Sequence, residues 1–181
     1  MSLMNINDSV LVVIDCQTKL MPAIKDTDVL EQTVVKLARG IKVMDVPVVV
    51  TQQYTKGLGP TTDDICEALG EFEPIEKTTF SAMGAPEFVE RIKAAGKKNI
   101  LMTGVETHIC VQQTTLELLK AGYNVYLIDD CVGSRTKNDK KVACQRMAAA
   151  GAVVTTYEAA LYEILKGAKE DGFKAISAIV K

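Results

Sequence analysis

The chain has a single histidine, His108, and none of its five cysteines stands in a CxxC pair. Zinc sites are built from clustered Cys and His, so no metal is expected. An odd set of cysteines (Cys16, Cys66, Cys110, Cys131, Cys144) disfavours a disulfide framework and suits a reducing cytosol, so a cytoplasmic location is expected. No apolar run approaches the roughly 20 residues that span a bilayer. The opening stretch, MSLMNINDSV, lacks the basic and apolar regions of a signal peptide. Charge of one sign is also missing. With 21 Lys and Arg against 23 Asp and Glu, the net charge is −2, which gives no pull toward nucleic acid or an anionic membrane. There is no GxxxxGK[ST] loop, and Gly57-Leu58-Gly59-Pro60 is not a dinucleotide fingerprint but reads as a flexible loop. No cofactor is therefore expected. Neither a repeat nor a linker interrupts the 181 residues, a length that fits one domain with one substantial core.

What is present is an alternation of apolar β-rich runs with amphipathic stretches. Val10–Ile14 is continuous and β-branched, as in a strand buried on both faces. Leu30, Val34, Leu37, Ile41 and Met44 carry a helical spacing over Val29–Met44. Strands are expected at Val48–Thr51, Pro74–Glu76, Asn99–Thr103, Val125–Ile128 and Ala152–Thr155. Helices are expected at Thr62–Leu69, Pro86–Ala95, His108–Ala121, Lys137–Ala150, Tyr157–Leu165 and Gly172–Val180. This order predicts a three-layer α/β/α, doubly wound (Rossmann-like) parallel sheet. Ligands in such folds bind beyond the carboxyl ends of the strands. The residues that follow each strand then matter most: Asp15, Gln52-Gln53-Tyr54, Lys77, Gly104–Cys110 and Asp129-Asp130.

Asp15 follows a wholly apolar strand, where a partly desolvated carboxylate makes a better base; it could equally cap a loop. Lys77 after the third strand can pair with a buried carboxylate and hold positive charge near a thiolate, or be a solvated loop lysine. Cys110 sits where a strand breaks at Gly104 and a helix begins. The first-turn N–H groups and the helix dipole there favour a thiolate. A buried apolar cysteine is the competing reading. Cys16 adjoins Asp15 and is expected to border the same pocket, whereas Cys66 and Cys144 read as a surface-segment and a helix cysteine. His108 lies two residues from Cys110, but that spacing points the two side chains apart, so a rim role is expected rather than that of a base. The Asp129-Asp130 pair could bind a cation, but reads as solvated or capping.

These elements together resemble the isochorismatase-like cysteine hydrolases. The likeness is carried by Val12-Val13-Ile14-Asp15-Cys16-Gln17, by Lys77-Thr78-Thr79-Phe80-Ser81, by Gly104-Val105-Glu106-Thr107-His108-Ile109-Cys110-Val111, and by Asp129-Asp130-Cys131-Val132-Gly133-Ser134-Arg135. Gln52 to Gly59 resembles the subgroup of isochorismatase domain-containing proteins. The resemblance implies a six-stranded parallel sheet, a homo-oligomer and a catalytic triad of Asp15, Lys77 and Cys110. It also implies a cis peptide at Val105–Glu106 and an oxyanion hole from the backbone N–H groups of Glu106 and Cys110. Gln17, Gln53, Tyr54, Phe80 and Thr107 are the expected substrate-binding residues. Nicotinamidases of the superfamily hold a metal through Asp and His after the second strand, where this chain has Gln52, Gln53 and Tyr54. The activity implied is hydrolysis of a small-molecule C–N, amide-like bond through a thioester. The alternatives are vinyl-ether hydrolysis of an isochorismate-like substrate, or a non-catalytic oligomeric binding protein with a vestigial site.

Overall fold

A computed structural model describes residues 3–181. Six strands form one parallel sheet: β1 (Ser9–Ile14), β2 (Val48–Gln53), β3 (Ile75–Lys77), β4 (Asn99–Val105), β5 (Asn124–Gly133) and β6 (Val153–Thr155). Their order is β3-β2-β1-β4-β5-β6, so the chain reverses direction across the sheet between β1 and β4. The register pairs Ile14 with both Thr51 and Gly104, and Gln53 with Lys77.

The period of two along each strand divides the core into two layers. Leu11, Val13, Val50, Leu101 and Ile128 pack on one side under α1 (Thr27–Val43), α3 (Asp63–Leu69), α7 (Tyr157–Leu165) and α8 (Phe173–Val180), with the four-residue α2 (Thr55–Leu58) outside that layer. Val10, Val12, Ile14, Val49, Ile100, Met102 and Leu127 face the other side. There they meet Phe88 and Ile92 of α4 (Pro86–Ala95), Leu118 of α5 (Gln112–Lys120) and Met147 of α6 (Lys137–Ala149). The three-layer, doubly wound parallel sheet is therefore observed.

Three local expectations change. β5 continues five residues past Ile128, because its pairing with β4 resumes at Val132 and Gly133 after a register shift, while β6 stops beside Ile128. Asp129 and Asp130 thus lie within a strand and not in a loop. The helix expected from His108 begins as a π-helical turn, Thr107–Val111, and becomes regular only at Gln112. Gly57-Leu58-Gly59 is not simply a loop: Gly57 and Leu58 close the short helix α2, and Gly59 is its C-cap.

Candidate active site

Asp15 emerges from β1 with φ +50°, a left-handed conformation that Asp and Asn tolerate better than most residues. The turn swings its carboxylate back over the sheet, where it has no solvent exposure. Thr51 Oγ1, from the neighbouring strand, donates to Asp15 Oδ1 at 2.7 Å. Lys77 Nζ donates to Asp15 Oδ2 at 2.6 Å, with both side chains fully buried. The remaining Lys77 donors are also taken. Gln53 Oε1 accepts at 2.8 Å, and the carbonyls of Thr79 and Phe80 each accept at 3.3 Å. Lys77 closes β3 itself and is a fixed charge without a proton to spare for substrate.

Gly104 is needed where β4 ends. Its φ is +108°, and a side chain there would collide with the Ile14 carbonyl oxygen of β1. This close approach brings the following turn over the end of β1. The Val105–Glu106 peptide is cis, as the resemblance implied. The Glu106 carbonyl accepts from the N–H groups of Ile109 and Val111, and its carboxylate accepts from Arg135 Nε at 2.9 Å. Cys110 falls in the π-helical turn, 5% exposed, with the Asp15 carboxylate near enough to act on its thiol. The loop after β3 is tied to the same turn. Thr114 Oγ1 donates to the Cys110 carbonyl at 2.7 Å and accepts from the Ala82 N–H at 2.9 Å.

Asp15, Lys77 and Cys110 are therefore assembled from three separated strand ends. The electrostatics differ from the expected activated thiol. Burial and the Asp15 carboxylate push the Cys110 thiol up to about 12, against the opposing effects of Lys77 and a backbone hydrogen bond at Glu106. Desolvation outweighs the helix end, so Cys110 rests as a thiol.

The pocket residues behave differently from one another. Gln17 is fully buried, and its amide is spent on backbone groups of Gln53 and Gly59. It fastens two loops and leaves no polar atom for a substrate. Gln53 holds Lys77 and the Thr78 carbonyl, and so fixes Lys77 against Asp15. Tyr54 and Phe80 touch Lys77 through their backbones while the two residues are 52% and 56% exposed. The Thr107 hydroxyl is buried without a hydrogen-bond partner among the described residues. Cys16 does not border this site. It packs in the opposite core layer, where burial raises its thiol pKa strongly. His108 pairs its ring with Ser134 Oγ at 3.0 Å. Asp130 caps α7 through the Tyr157 N–H, and Asp129 pairs with Lys140. No cluster of three or more His, Cys, Asp or Glu side chains converges among the described residues. Thr51 was missed as a site residue: as the last-but-two residue of an apolar strand it looked like β-propensity alone.

A family model, the isochorismatase domain, matches residues 9–159. Isochorismatase family protein 1A of Dictyostelium discoideum is 39% identical over 178 residues, covering 94% of this chain and 84% of that protein. Among solved structures, the MAR1 ribonuclease of Caenorhabditis elegans superposes with a TM-score of 0.93 at 36% identity, covering 99% and 92% of the two chains. YcaC of Pseudomonas aeruginosa, solved with hexane-2,5-diol and covalent acrylamide, gives a TM-score of 0.93 at 27% identity, covering 98% and 91%. With the matched model spanning most of the chain, and with its hydrolase fold, this protein belongs to the isochorismatase family.

Proposed function

We propose that this chain, acting as one domain, is a cysteine-dependent hydrolase of a small-molecule C–N, amide-like bond. The observation that carries this reading is the buried Asp15 carboxylate, held by Lys77 and Thr51 and near enough to Cys110 to raise its thiol pKa. Because the thiol is protonated at rest, its proton must leave as the substrate is attacked, and Asp15 is the base within reach. The Cys110 Sγ–carbon bond forms while the S–H proton passes to Asp15. The carbonyl π pair moves to oxygen, where the backbone N–H groups of Glu106 and Cys110 serve as the oxyanion hole. Collapse breaks the C–N bond, and Asp15 returns the proton to the leaving amine. The same carboxylate then takes a proton from the water that opens the thioester, releasing the acid and restoring the thiol.

The covalent acrylamide found with YcaC supports a reactive nucleophile in that relative, since acrylamide alkylates thiols. Tyr54 and Phe80, exposed beside Lys77, serve substrate contact or a neighbouring copy in a homo-oligomer. Five free cysteines fit a reducing cytosol, and no helix among the described residues is long and apolar enough to cross a membrane.

A second reading, cleavage of RNA, is favoured by one observation: the C. elegans neighbour is named a ribonuclease. The two readings separate in one experiment. Wild-type protein and Cys110→Ala are incubated with a panel of small amides and imides, and separately with single-stranded RNA, then acid-quenched for mass spectrometry. An acyl adduct confined to Cys110, with RNA intact, supports the amidase reading. RNA cleavage that persists in Cys110→Ala, without any adduct, overturns it.

A further inference from the structure

One sizeable cavity does not include Asp15, Lys77 or Cys110. It has a volume of about 600 Å³ and lies between the start of α1, the far end of β5 and α6. Its size is that of ordinary small-molecule sites. Its origin is in the sheet: β6 pairs only as far as Ile128, so β5 from Asp129 to Gly133 has no strand on its outer side. The backbone there is satisfied by side chains instead. Thr33 Oγ1 donates to the Asp130 carbonyl at 2.5 Å and Lys140 Nζ to the Asp129 carbonyl at 2.7 Å. The space is therefore not waiting for a strand.

Leu30, Val132 and Gly133 supply an apolar floor, and Val29 stands 62% exposed beside it. The charges are unevenly paired. Asp129 is occupied by Lys140 and by the Cys144 thiol at 3.4 Å, and Asp130 accepts the Tyr157 amide. Lys25 and Lys137 share one carboxylate, Asp26, at 3.8 and 3.0 Å. Lys141 lines the same cavity with no ion pair or hydrogen bond among the described residues. The cavity is thus lined by four ammonium groups and three carboxylates, with Lys141 the unpaired cation, above an apolar floor.

We propose that this cavity binds an amphipathic small-molecule anion, its apolar body on Val29, Leu30 and Val132 and its carboxylate, sulfonate or phosphate head at Lys25, Lys137 and Lys141. This site is separate from the triad and stands whether or not the amidase reading holds. Charge complementarity selects an anion, and the apolar floor selects a body that simple inorganic anions lack.

The test is fluorescence titration of the full chain with 8-anilinonaphthalene-1-sulfonate and with its uncharged analogue N-phenyl-1-naphthylamine. The sulfonate binds saturably at one site per chain, and the uncharged analogue about tenfold more weakly, since one charge-assisted contact is lost. Lys141→Glu and Val29→Asp each weaken the sulfonate by about tenfold or more, Lys141→Arg retains it, and Lys93→Glu, outside the cavity, leaves it unchanged. Unchanged melting temperatures for all four variants assign the losses to the site. Equal affinity for the uncharged probe, or indifference to Lys141→Glu and Val29→Asp, overturns the proposal. So does displacement of the probe by a short RNA oligonucleotide with a steep salt dependence, which would mark a polyanion surface. Loss of the probe signal as the protein self-associates, with Val29→Asp yielding monomers, would make a second copy the occupant and also overturn it.

Discussion

Thr51→Val removes one oxygen from the candidate site and nearly nothing else. The two side chains share a shape, and Thr51 is fully buried in the middle of the sheet. Its hydroxyl donates to Asp15 Oδ1 at 2.7 Å. Asp15 Oδ2 keeps Lys77, so the variant leaves one oxygen of a buried charge short of a donor. Hydrogen bonds to charged groups contribute about 1.5–3 kcal/mol. For a chain of this size that corresponds to a fall in melting temperature of about 3–12 °C. The charge dependence is the sharper test. In a background with the pair neutralised, Asp15→Asn with Lys77→Met, the same Thr51→Val change should lose only about 1 kcal/mol. Thermal melts of the four proteins give the coupling directly. Equal losses in both backgrounds, or no loss in the native one, would refute the reasoning that Thr51 holds a charged Asp15.

Other predictions follow from the same geometry. Lys77→Met alone strands a buried carboxylate and should destabilise by about 3–5 kcal/mol, with partial recovery on adding Asp15→Asn; denaturant unfolding checks both. Gly104→Ala, forced against the Ile14 carbonyl at φ +108°, should lower stability and slow Cys110 alkylation, read by peptide mass spectrometry. The raised Cys110 thiol has two pH consequences. Its alkylation in the free protein should keep climbing from pH 7 to pH 10 without the plateau of a low-pKa thiolate, because burial pushes the group up to about 12. Its folded value lies above that of an unfolded thiol, about 8.5. The stabilising contribution is thus complete below that pH and is lost as pH rises toward 12, visible as a falling alkaline melting temperature that is flatter in Cys110→Ala.

The strands were legible where an apolar run was uninterrupted, as in Val10–Ile14, because burial on both faces leaves no other pattern. Asp15 and Cys110 drew attention because each follows an apolar run, but Lys77 follows only the short Ile75-Glu76, and it was the resemblance to the isochorismatase-like hydrolases that joined the three. What holds them was not. Thr51 meets Asp15, and Gln53 meets Lys77, only through the registers of β1 with β2 and of β2 with β3, which no local spacing encodes. Gln17 looked like a pocket residue because it follows Asp15 closely, yet its amide bonds backbone on two other segments. The end of β5 was misplaced because a polar Asp129-Asp130 pair reads as a turn. A short β6 leaves the strand to continue through the pair, with Asp129 meeting Lys140 of α6 and Asp130 the Tyr157 N–H of α7. The thiol was misjudged in the same way, since the helix end is a local feature and the desolvation at Cys110 comes from the whole fold.

The central claim is that Cys110 is the nucleophile. Once a small amide or imide substrate has been identified by its adduct, turnover of Cys110→Ala against wild type tests it most directly. The account predicts a loss of at least about 10³-fold, the scale seen when a nucleophile is removed from a triad, with the fold and melting temperature retained. Turnover in Cys110→Ala equal to that of the native protein would contradict it.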